Sequence, residues 1–369
     1  MASTQALVAH KVKSALVLEN VVLDNLQPDE ALVEIHATGV CHTDLSCIDG
    51  TLPAQFPSVF GHEGGGIVKE IGSDIQNCAP GDKVLLSFAY CKSCPPCSSG
   101  HPAYCHAFAA RNFGQCRTDG SSALKVSASG AKCFGHFFGQ STFARHAIVH
   151  ASSIVRVPPD TPLELFAPLG CGMQTGSGAI LRTLDVKEGS TVAVFGVGGV
   201  GMAAIMASKL RNAGTIIAID LQPARLDLAK ELGATHTIVG SDKDIIQQIQ
   251  NICPPNGVNY AVECTGVPTV LGTMLDSLGT RGKGATIGAP SPGVKGSVDI
   301  FTHLVLGREY VGCCEGDSVP HKFIPYLIEQ HKAGKFPLEK LITYYDIKDH
   351  EKAFADTKGG RTIKAVLQW

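Results

Sequence analysis

The sequence has 369 residues, of which 44% are apolar and 17% are charged, and its formal net charge is −2. This length exceeds what one hydrophobic core usually supports, so we expect two domains. The high apolar content and balanced charge argue against a disordered chain and against a nucleic-acid partner. No stretch reaches the roughly 18 uncharged apolar residues that a membrane span needs. The N-terminus lacks a basic head followed by an apolar core and a cleavage site, so we expect a cytoplasmic protein.

The first half of the chain, up to about residue 170, contains short β-like runs broken by Gly and Pro. The clearest runs are ALVEIHATGV, GGGIVKEIG, GDKVLLSF, FARHAIV and SIVRVP. Short strands separated by turn signals predict an all-β unit, and we expect a distorted barrel.

From Ser190 onwards, short apolar runs alternate with stretches of helical periodicity. The runs are TVAVF, TIIAID, HTIVG, NYAVEC and GATIGAP, and the helical stretches include VGMAAIMASKLRNAG and PARLDLAKELGA. This alternation predicts a parallel sheet of βαβ units with helices on both faces. The pattern breaks near Gly312, after which FIPYLIEQHKAGKF predicts a helix and TIKAVLQW a strand. A tail this short must pack on an earlier domain.

Four cysteines form a compact cluster with the spacing C-x2-C-x2-C-x7-C: Cys91, Cys94, Cys97 and Cys105. They lie in a loop rich in Pro, Ser and Gly, which has few apolar residues that could form a hydrophobic core. Four thiolates at this spacing can surround one zinc ion with no open position, which is typical of a structural site. Four cysteines also ligate iron–sulfur clusters, which is the competing interpretation.

Three further residues, Cys41 in GVCHTD, His62 in GHEGGG and Cys171 in PLGCGMQTG, are candidate ligands of a second zinc ion. Each is weak evidence alone, because a lone His is more often a buried histidine and a lone Cys a small core residue. Together, two thiolates and one imidazole leave a fourth zinc position open for water or substrate, as a catalytic site requires.

A glycine-rich loop follows the run TVAVF and opens a helix. Its G-x-G-x-x-G pattern, formed by Gly196, Gly198 and Gly201, allows a tight turn and the close approach of a pyrophosphate to the helix N-terminus. Asp220 ends the next strand, 19 residues past Gly201. Its carboxylate can bind ribose hydroxyls and would repel a 2′-phosphate, so NAD is favoured over NADP. Arg225 lies close by and could meet a phosphate, and Asp220 could instead serve as a helix N-cap.

With these motifs in this order, the sequence resembles the zinc-containing medium-chain alcohol dehydrogenases along essentially its whole length. The resemblance implies an α/β protein with a GroES-like distorted β-barrel catalytic domain and a Rossmann domain with a doubly wound parallel sheet. We expect the catalytic domain over 1–172, with the zinc lobe at about 90–106. The NAD-binding domain should cover 173–314, and 315–369 should return to the catalytic domain.

The resemblance also implies roles for individual residues. Cys41, His62 and Cys171 match the catalytic zinc ligands, and the four-cysteine cluster matches the structural zinc lobe. Around the catalytic zinc, the matches are Asp44, a carboxylate that holds the ligand histidine, Glu63, an acid behind the zinc, and Thr43, a hydroxyl that contacts the substrate oxygen. The cofactor-site matches are His42 near the phosphates, Thr175, Val200 and Ile287 at the nicotinamide, Arg361 at the pyrophosphate, and Gly199 within the glycine loop.

The implied activity is the reversible, NAD-linked oxidation of a primary alcohol to an aldehyde by hydride transfer. The stretches AFAARNFGQCRTDGSSA and FFGQSTFARHAIV are most similar to the aryl-alcohol branch, which favours an aromatic alcohol. Ser46 departs from the family, where several members carry a histidine that passes the alcohol proton to solvent. The segment GREYVGCCEG matches an edge strand that pairs two subunits, so we expect a homodimer or homotetramer.

Two other functions stay open. The chain could be an aldehyde or enone reductase of a secondary-metabolite pathway, built on the same scaffold. It could also be a nucleotide-binding structural or regulatory protein without catalysis, although such a protein would be expected to lose zinc ligands.

Overall fold

The computed structural model describes residues 3–127 and 130–369 of the chain. Within them, the strands in chain order are β1 Ser3–Ala9, β2 Leu16–Leu23, β3 Glu30–Gly39, β4 Ser58–Val59, β5 Gly64–Ile71, β6 Lys83–Leu86, β7 Leu124–Val126, β8 Lys132–Cys133, β9 His146–His150, β10 Ile154–Arg156, β11 Thr191–Phe195, β12 Thr215–Asp220, β13 His236–Val239, β14 Val258–Glu263, β15 Leu278–Thr286, β16 Glu309–Gly312, β17 Ile342–Asp346 and β18 Lys364–Gln368.

Helices of very different length join these strands. In chain order they are α1 His42–Ile48, α2 Pro95–Ser98, α3 Phe108–Phe113, α4 Leu163–Phe166, α5 Gly172–Gly178, α6 Gly199–Leu210, α7 Pro223–Leu232, α8 Ile245–Ile252, α9 Pro268–Asp276, α10 Ile300–Leu306, α11 Pro320–Lys332 and α12 His350–Lys358. None of the helices in the described residues is long and apolar enough to cross a membrane.

The chain divides into two compact units. The first contains residues 1–171, 319–331 and 338–369, and the second contains 172–318 and 332–337. The tail therefore returns to the first unit, apart from the short segment 332–337.

The first unit is built on two sheets. One is antiparallel with the strand order β4-β1-β2-β7-β8, and the other has the order β10-β6-β5-β3-β18-β17 with β9 also paired to β3. Alternate residues of β3, namely Ala31, Val33, Ile35 and Ala37, are fully buried, as expected of a strand with one face on a core. The C-terminal strand β18 pairs with the end of β3, where Val366 lies opposite Gly39. This pairing brings the end of the chain beside the segment that follows β3.

The second unit contains a six-stranded parallel sheet in the order β13-β12-β11-β14-β15-β16. Helices alternate with these strands along the chain, as predicted from the sequence. The central strands β11 and β12 are buried along nearly their whole length, which is typical of a parallel sheet covered on both faces. The strand order changes direction between β11 and β14, and ligands of such sheets bind at the carboxyl ends of the strands near that point.

Candidate functional site

Cys41, His62 and Cys171 come together in the first unit, in a group that also includes Glu63. One ligand atom of each residue lies within 4.8 Å of the corresponding atoms of the others. Cys41 lies two residues after β3, His62 lies two residues before β5, and Cys171 follows the turn after α4. The packing at Cys171 requires glycine before it, since a Cβ on Gly170 would lie 2.1 Å from the carbonyl oxygen of Leu86.

Asp44 organises the first two of these residues. Its carboxylate accepts hydrogen bonds from His62 Nδ1 at 3.0 Å, from the Gly61 backbone N–H at 3.0 Å and from the Cys41 backbone N–H at 3.1 Å. The bond to Cys41 forms because Asp44 is the third residue of α1 and reaches back to the residue that caps it. With Nδ1 donating to Asp44, the lone pair of His62 lies on Nε2, which is buried and has no hydrogen-bond partner among the described residues.

The donor set at this point fits a zinc ion. A hydrogen bond from Cys171 lowers the pKa of Cys41 well below its usual value, although burial opposes the shift. The site therefore combines a thiol that loses its proton more readily than usual with an imidazole nitrogen, and thiolate sulfur and imidazole nitrogen are preferred ligands of zinc. Such a site would hold the ion through three side chains.

Glu63 is fully buried and forms an ion pair with Lys364, whose Nζ lies 2.9 Å from both carboxylate oxygens. Lys364 also donates to the carbonyl of Val40 at 3.2 Å. Burial raises the pKa of Glu63 and the charge of Lys364 opposes that shift. The carboxylate packs against the backbone of Gly39, where a Cβ would lie 2.0 Å from Glu63 Oε2. Glu63 thus lies beside the sulfurs of Cys41 and Cys171, with Lys364 as its cationic partner.

The three other residues predicted near this site differ in exposure. Thr43 is half-buried, with its Oγ1 3.7 Å from Cys41 Sγ, so its hydroxyl lies at the metal-ligand group. Ser46 is half-buried on the same helix. His42, the first residue of α1, is exposed.

The four cysteines of the second cluster also come together. Cys94 Sγ lies 3.4 Å from Cys97 Sγ and 3.9 Å from Cys105 Sγ, and Cys91 Sγ lies 3.9 Å from Cys97 Sγ. Sulfurs around one tetrahedral zinc stand about 3.8 Å apart, given zinc–sulfur bonds of about 2.3 Å. A cluster of several iron atoms would stand between the thiols and hold them further apart. The spacing therefore favours one zinc ion held by four sulfurs.

In the second unit, the glycine loop joins β11 to α6 as predicted. Gly196 has a φ of +86°, and a Cβ on Gly201 would lie 2.0 Å from the Gly196 carbonyl oxygen, so both positions require glycine. Gly198 caps the N-terminus of α6. Asp220 accepts hydrogen bonds from the backbone N–H groups of Val197 and Gln222, each at 2.9 Å.

The remaining cofactor residues occupy three places. Thr175 lies on α5 and Val200 lies on α6. These two helices are in close contact, because a Cβ on Gly176 would lie 1.9 Å from the Val200 carbonyl oxygen. Ile287 follows β15, and its N–H donates to the carbonyl of Glu263 at the end of β14. Gly199 begins α6.

Arg225 and Arg361 both have carboxylate partners. Arg225 Nη1 lies 3.8 Å from Asp220 Oδ2. Arg361 is 63% exposed at its side chain and bonds to Asp356 at 2.6 Å. The structure thus pairs each of these two predicted cofactor residues within its own unit.

Several residues at the metal-ligand group were not predicted from the sequence. The ring of Phe138 stacks on the His62 imidazole at 4.5 Å between centroids, and Phe137 meets the imidazole edge-on at 5.4 Å. Gln140 donates to the His62 carbonyl. Lys364 lies 301 residues from its partner Glu63. In β18, Lys364 shares a face with Val366 and Gln368, so the alternation of this strand gave no signal that Lys364 is buried.

Comparison with known proteins agrees with this geometry. Residues 27–159 match the family model described as the alcohol dehydrogenase GroES-like domain, and residues 199–330 match that of a zinc-binding dehydrogenase. Geraniol dehydrogenase of Castellaniella defragrans is 37% identical over 367 residues, covering 99% of this chain and 97% of the relative. S-(hydroxymethyl)glutathione dehydrogenase of Synechocystis is 35% identical over 371 residues, covering 99% of this chain and 100% of the relative.

Two crystal structures are similar over the whole chain. An alcohol dehydrogenase zinc-binding domain protein from Burkholderia ambifaria has 43% identity and a TM-score of 0.97, covering 100% of this chain and 99% of its own. Benzyl alcohol dehydrogenase from Acinetobacter calcoaceticus has 39% identity and a TM-score of 0.96, with the same coverage. This chain therefore belongs to the zinc-containing medium-chain alcohol dehydrogenases and has their GroES-like and Rossmann domains, so it is a zinc-dependent alcohol dehydrogenase.

Proposed function

We propose that this protein oxidises a primary aromatic alcohol to the aldehyde, reversibly and with NAD, at a zinc ion held by Cys41, His62 and Cys171. The observation that carries the proposal is the convergence of these three side chains, with the buried Nε2 of His62 free of any hydrogen bond within the described part of the chain. A second zinc ion would be held by the four-cysteine lobe.

Within this assignment, the side chains around the ligands have distinct tasks. Asp44 fixes the tautomer and the ring orientation of His62 through the Nδ1 hydrogen bond. Lys364 balances the charge of Glu63, so that the carboxylate can lie beside two thiolates. When bound, zinc would polarise the alcohol oxygen and lower its pKa.

Proton removal would fall to Thr43, because its hydroxyl lies at the ligand group. Thr43 Oγ1 would accept the alcohol proton and pass it towards solvent. Ser46 has no basic nitrogen to receive that proton, so the relay would end at His42, which is exposed, or at water.

NAD is the proposed acceptor of the hydride. Asp220 places a carboxylate beside the glycine loop, where it can bind ribose hydroxyls and would repel a 2′-phosphate. Arg225, the cation that might accept such a phosphate, lies next to Asp220 at 3.8 Å. We propose that 1–172 and 315–369 form the catalytic domain and 173–314 the NAD-binding domain.

The aromatic substrate is supported by a ring near His62 that is not fully buried. Phe137 and Phe138 contact the imidazole and are themselves buried, whereas Phe113 is half-buried and lies edge-on to both of them at 6.0 and 5.2 Å. The Phe113 ring could meet an aromatic ligand through an offset or edge-to-face contact. The similarity to benzyl alcohol dehydrogenase points the same way.

A panel of alcohols tests this proposal. Benzyl alcohol, geraniol, S-(hydroxymethyl)glutathione, ethanol and cyclohexanol would each be oxidised with NAD and with NADP, followed by the absorbance of the reduced nicotinamide. We expect the highest kcat/KM for benzyl alcohol with NAD. A preference for geraniol or for S-(hydroxymethyl)glutathione would contradict the aromatic substrate. In the reverse direction, with the reduced cofactor, faster reduction of an enone than of benzaldehyde would favour the reductase alternative.

The His62→Ala variant separates catalysis from cofactor binding. We expect it to lose turnover and one of two zinc ions while it binds NAD with unchanged affinity, because the glycine loop lies in the other unit. Turnover retained in this variant after metal removal would refute the ligand assignment.

We also propose a homodimer or homotetramer. The edge strand β16 leaves one side of the parallel sheet unpaired within the described chain, and α10 before it exposes large apolar side chains. Ile300, Phe301 and Leu304 are 77%, 72% and 75% exposed. Pairing of this edge with a second copy would cover both features.

A further inference from the structure

Gln140 is a fully buried amide that lies between two main-chain segments of the catalytic unit. Its Nε2 donates to the carbonyl of His62 at 3.0 Å and to the carbonyl of Ser87 at 2.9 Å. Both partners are acceptors only, so the NH2 end of the amide must face them, and its two hydrogens match two carbonyls. The amide thus links the segment that carries His62 to the end of β6.

Ser87 continues this link to the third proposed ligand. It is also fully buried, and its Oγ donates to the carbonyl of Gly170 at 2.7 Å. Gly170 immediately precedes Cys171. Two buried side chains therefore connect the main chain at His62 with the main chain beside Cys171, and neither touches the ligand atoms in these bonds.

The turn that carries Gln140 is held in place by hydrogen bonds. The Gln140 N–H donates to the Phe137 carbonyl at 3.0 Å, and Ser141 Oγ donates to the Val59 carbonyl at 2.7 Å. Phe138 has a φ of +54°, a region that bulky side chains rarely adopt, and this conformation lays its ring flat on the His62 imidazole. Local strain of this kind persists only where the surroundings impose it.

We propose that Gln140 and Ser87 are positioning residues of the catalytic metal centre. Through hydrogen bonds to main-chain carbonyls, they hold the segments that carry His62 and Cys171 in a fixed arrangement. The inference rests on the ligand assignment of the proposed function. Buried carbonyls that lose their donors would move to find others. The ligands would then leave the arrangement that a metal ion needs, although every ligand is still present.

Zinc release to a chromophoric chelator tests the proposal in the variants Gln140→Met and Ser87→Ala. The matched control for the first is Gln115→Met, because Gln115 is 1% exposed and bonds with Gln55 and Ser58. The control for the second is Ser277→Ala, since Ser277 is fully buried and donates to the Met274 carbonyl. Thermal unfolding is measured on all four variants.

We expect Gln140→Met and Ser87→Ala to release one of two zinc ions at least roughly tenfold faster than their controls, in the range seen when groups behind metal ligands are removed. The other zinc ion should leave at the wild-type rate, and cobalt-substituted Ser87→Ala should show shifted visible bands at similar thermal stability. Ser87→Ala deletes a single hydroxyl, so it keeps the test open if the glutamine variant does not fold.

Release rates within about twofold of the controls would overturn the inference while leaving the proposed function intact, and so would equal acceleration of both zinc ions. A wild-type protein that holds zinc in the four-cysteine lobe but none at Cys41, His62 and Cys171 would overturn the ligand assignment and the inference together.

Discussion

Replacement of Asp44 by Asn tests how the protein orients His62. The Asp44 carboxylate is fully buried and accepts three hydrogen bonds, from His62, Gly61 and Cys41. An amide offers one acceptor oxygen, so at least one N–H group would face the amide nitrogen as donor against donor. With the amide oxygen in the Oδ1 position, the His62 and Gly61 bonds remain and the amide NH2 group meets the Cys41 N–H; with the amide flipped, His62 and Gly61 lose their acceptor. In either orientation a segment that carries a proposed ligand is displaced, and the negative charge beside His62 is removed.

The expected effect follows from the loss of that partner. Removal of a carboxylate behind a histidine ligand typically costs 10- to 100-fold in metal affinity or activity, or about 1.4–2.7 kcal/mol. We therefore expect zinc affinity at one of two sites, and kcat/KM, to fall by roughly this factor. Competition with a chelator of known affinity measures the first, and NAD-dependent alcohol oxidation the second.

Glu30→Gln is the matched control, because Glu30 is a buried carboxylate of the same unit that bonds to Arg117 and to the Gln27 N–H. It should lose stability without loss of zinc affinity. A zinc affinity of Asp44→Asn within about twofold of the wild type, or an equal loss of affinity in Glu30→Gln, would show that Asp44 does not orient His62 for the metal.

Three further predictions concern other parts of the molecule. Lys364→Met should lower the free energy of unfolding by about 3–5 kcal/mol in a urea titration, because it leaves the Glu63 carboxylate buried without its cation; unchanged stability would contradict the role of the pair. Burial lowers the pKa of His136 from 6.5 to about 4. The unfolded chain therefore takes up this proton first, and stability should fall as the pH drops from about 6.5 to about 4, by up to about 3 kcal/mol. His136→Asn should show a shallower fall, and an identical pH profile would rule this contribution out. Asp substitutions at Phe301 and Leu304, which are 72% and 75% exposed, should halve the mass measured by light scattering; an unchanged oligomer would disprove the proposed surface.

The motifs that could be predicted from the sequence are local ones. The four cysteines lie within 15 residues, so their spacing alone brings the sulfurs together. The glycine loop is equally short, and its positions Gly196 and Gly201 are required by a positive φ and a close backbone approach. In both motifs, the residues and the backbone geometry that they require lie within one short segment of the chain.

Contacts between distant segments left little trace in the sequence. Lys364 reaches Glu63 only because β18 pairs with β3. The family resemblance instead predicted a role at the pyrophosphate for Arg361, three residues earlier. The structure places the Arg361 side chain at the surface beside Asp356. Gln140 likewise gains its role from a fold contact with His62, and no local pattern marks a glutamine as buried.

The helices and strands also differ in how well they could be predicted from the sequence. The apolar runs of β3, β11 and β12 predicted strands because their side chains fill cores. Helix α10 could not be recognised by this logic, since none of its residues is buried and its apolar side chains face outward. A helix without a buried face lacks the one-sided periodicity by which helices are predicted.

X-ray diffraction from crystals of the protein, recorded on both sides of the zinc absorption edge, would locate the zinc ions in the chain. The ligand assignment predicts two anomalous peaks per chain, one bounded by Cys41, His62 and Cys171 and one within the four-cysteine lobe. A chain prepared with zinc that shows a peak in the lobe but none among Cys41, His62 and Cys171 would contradict it.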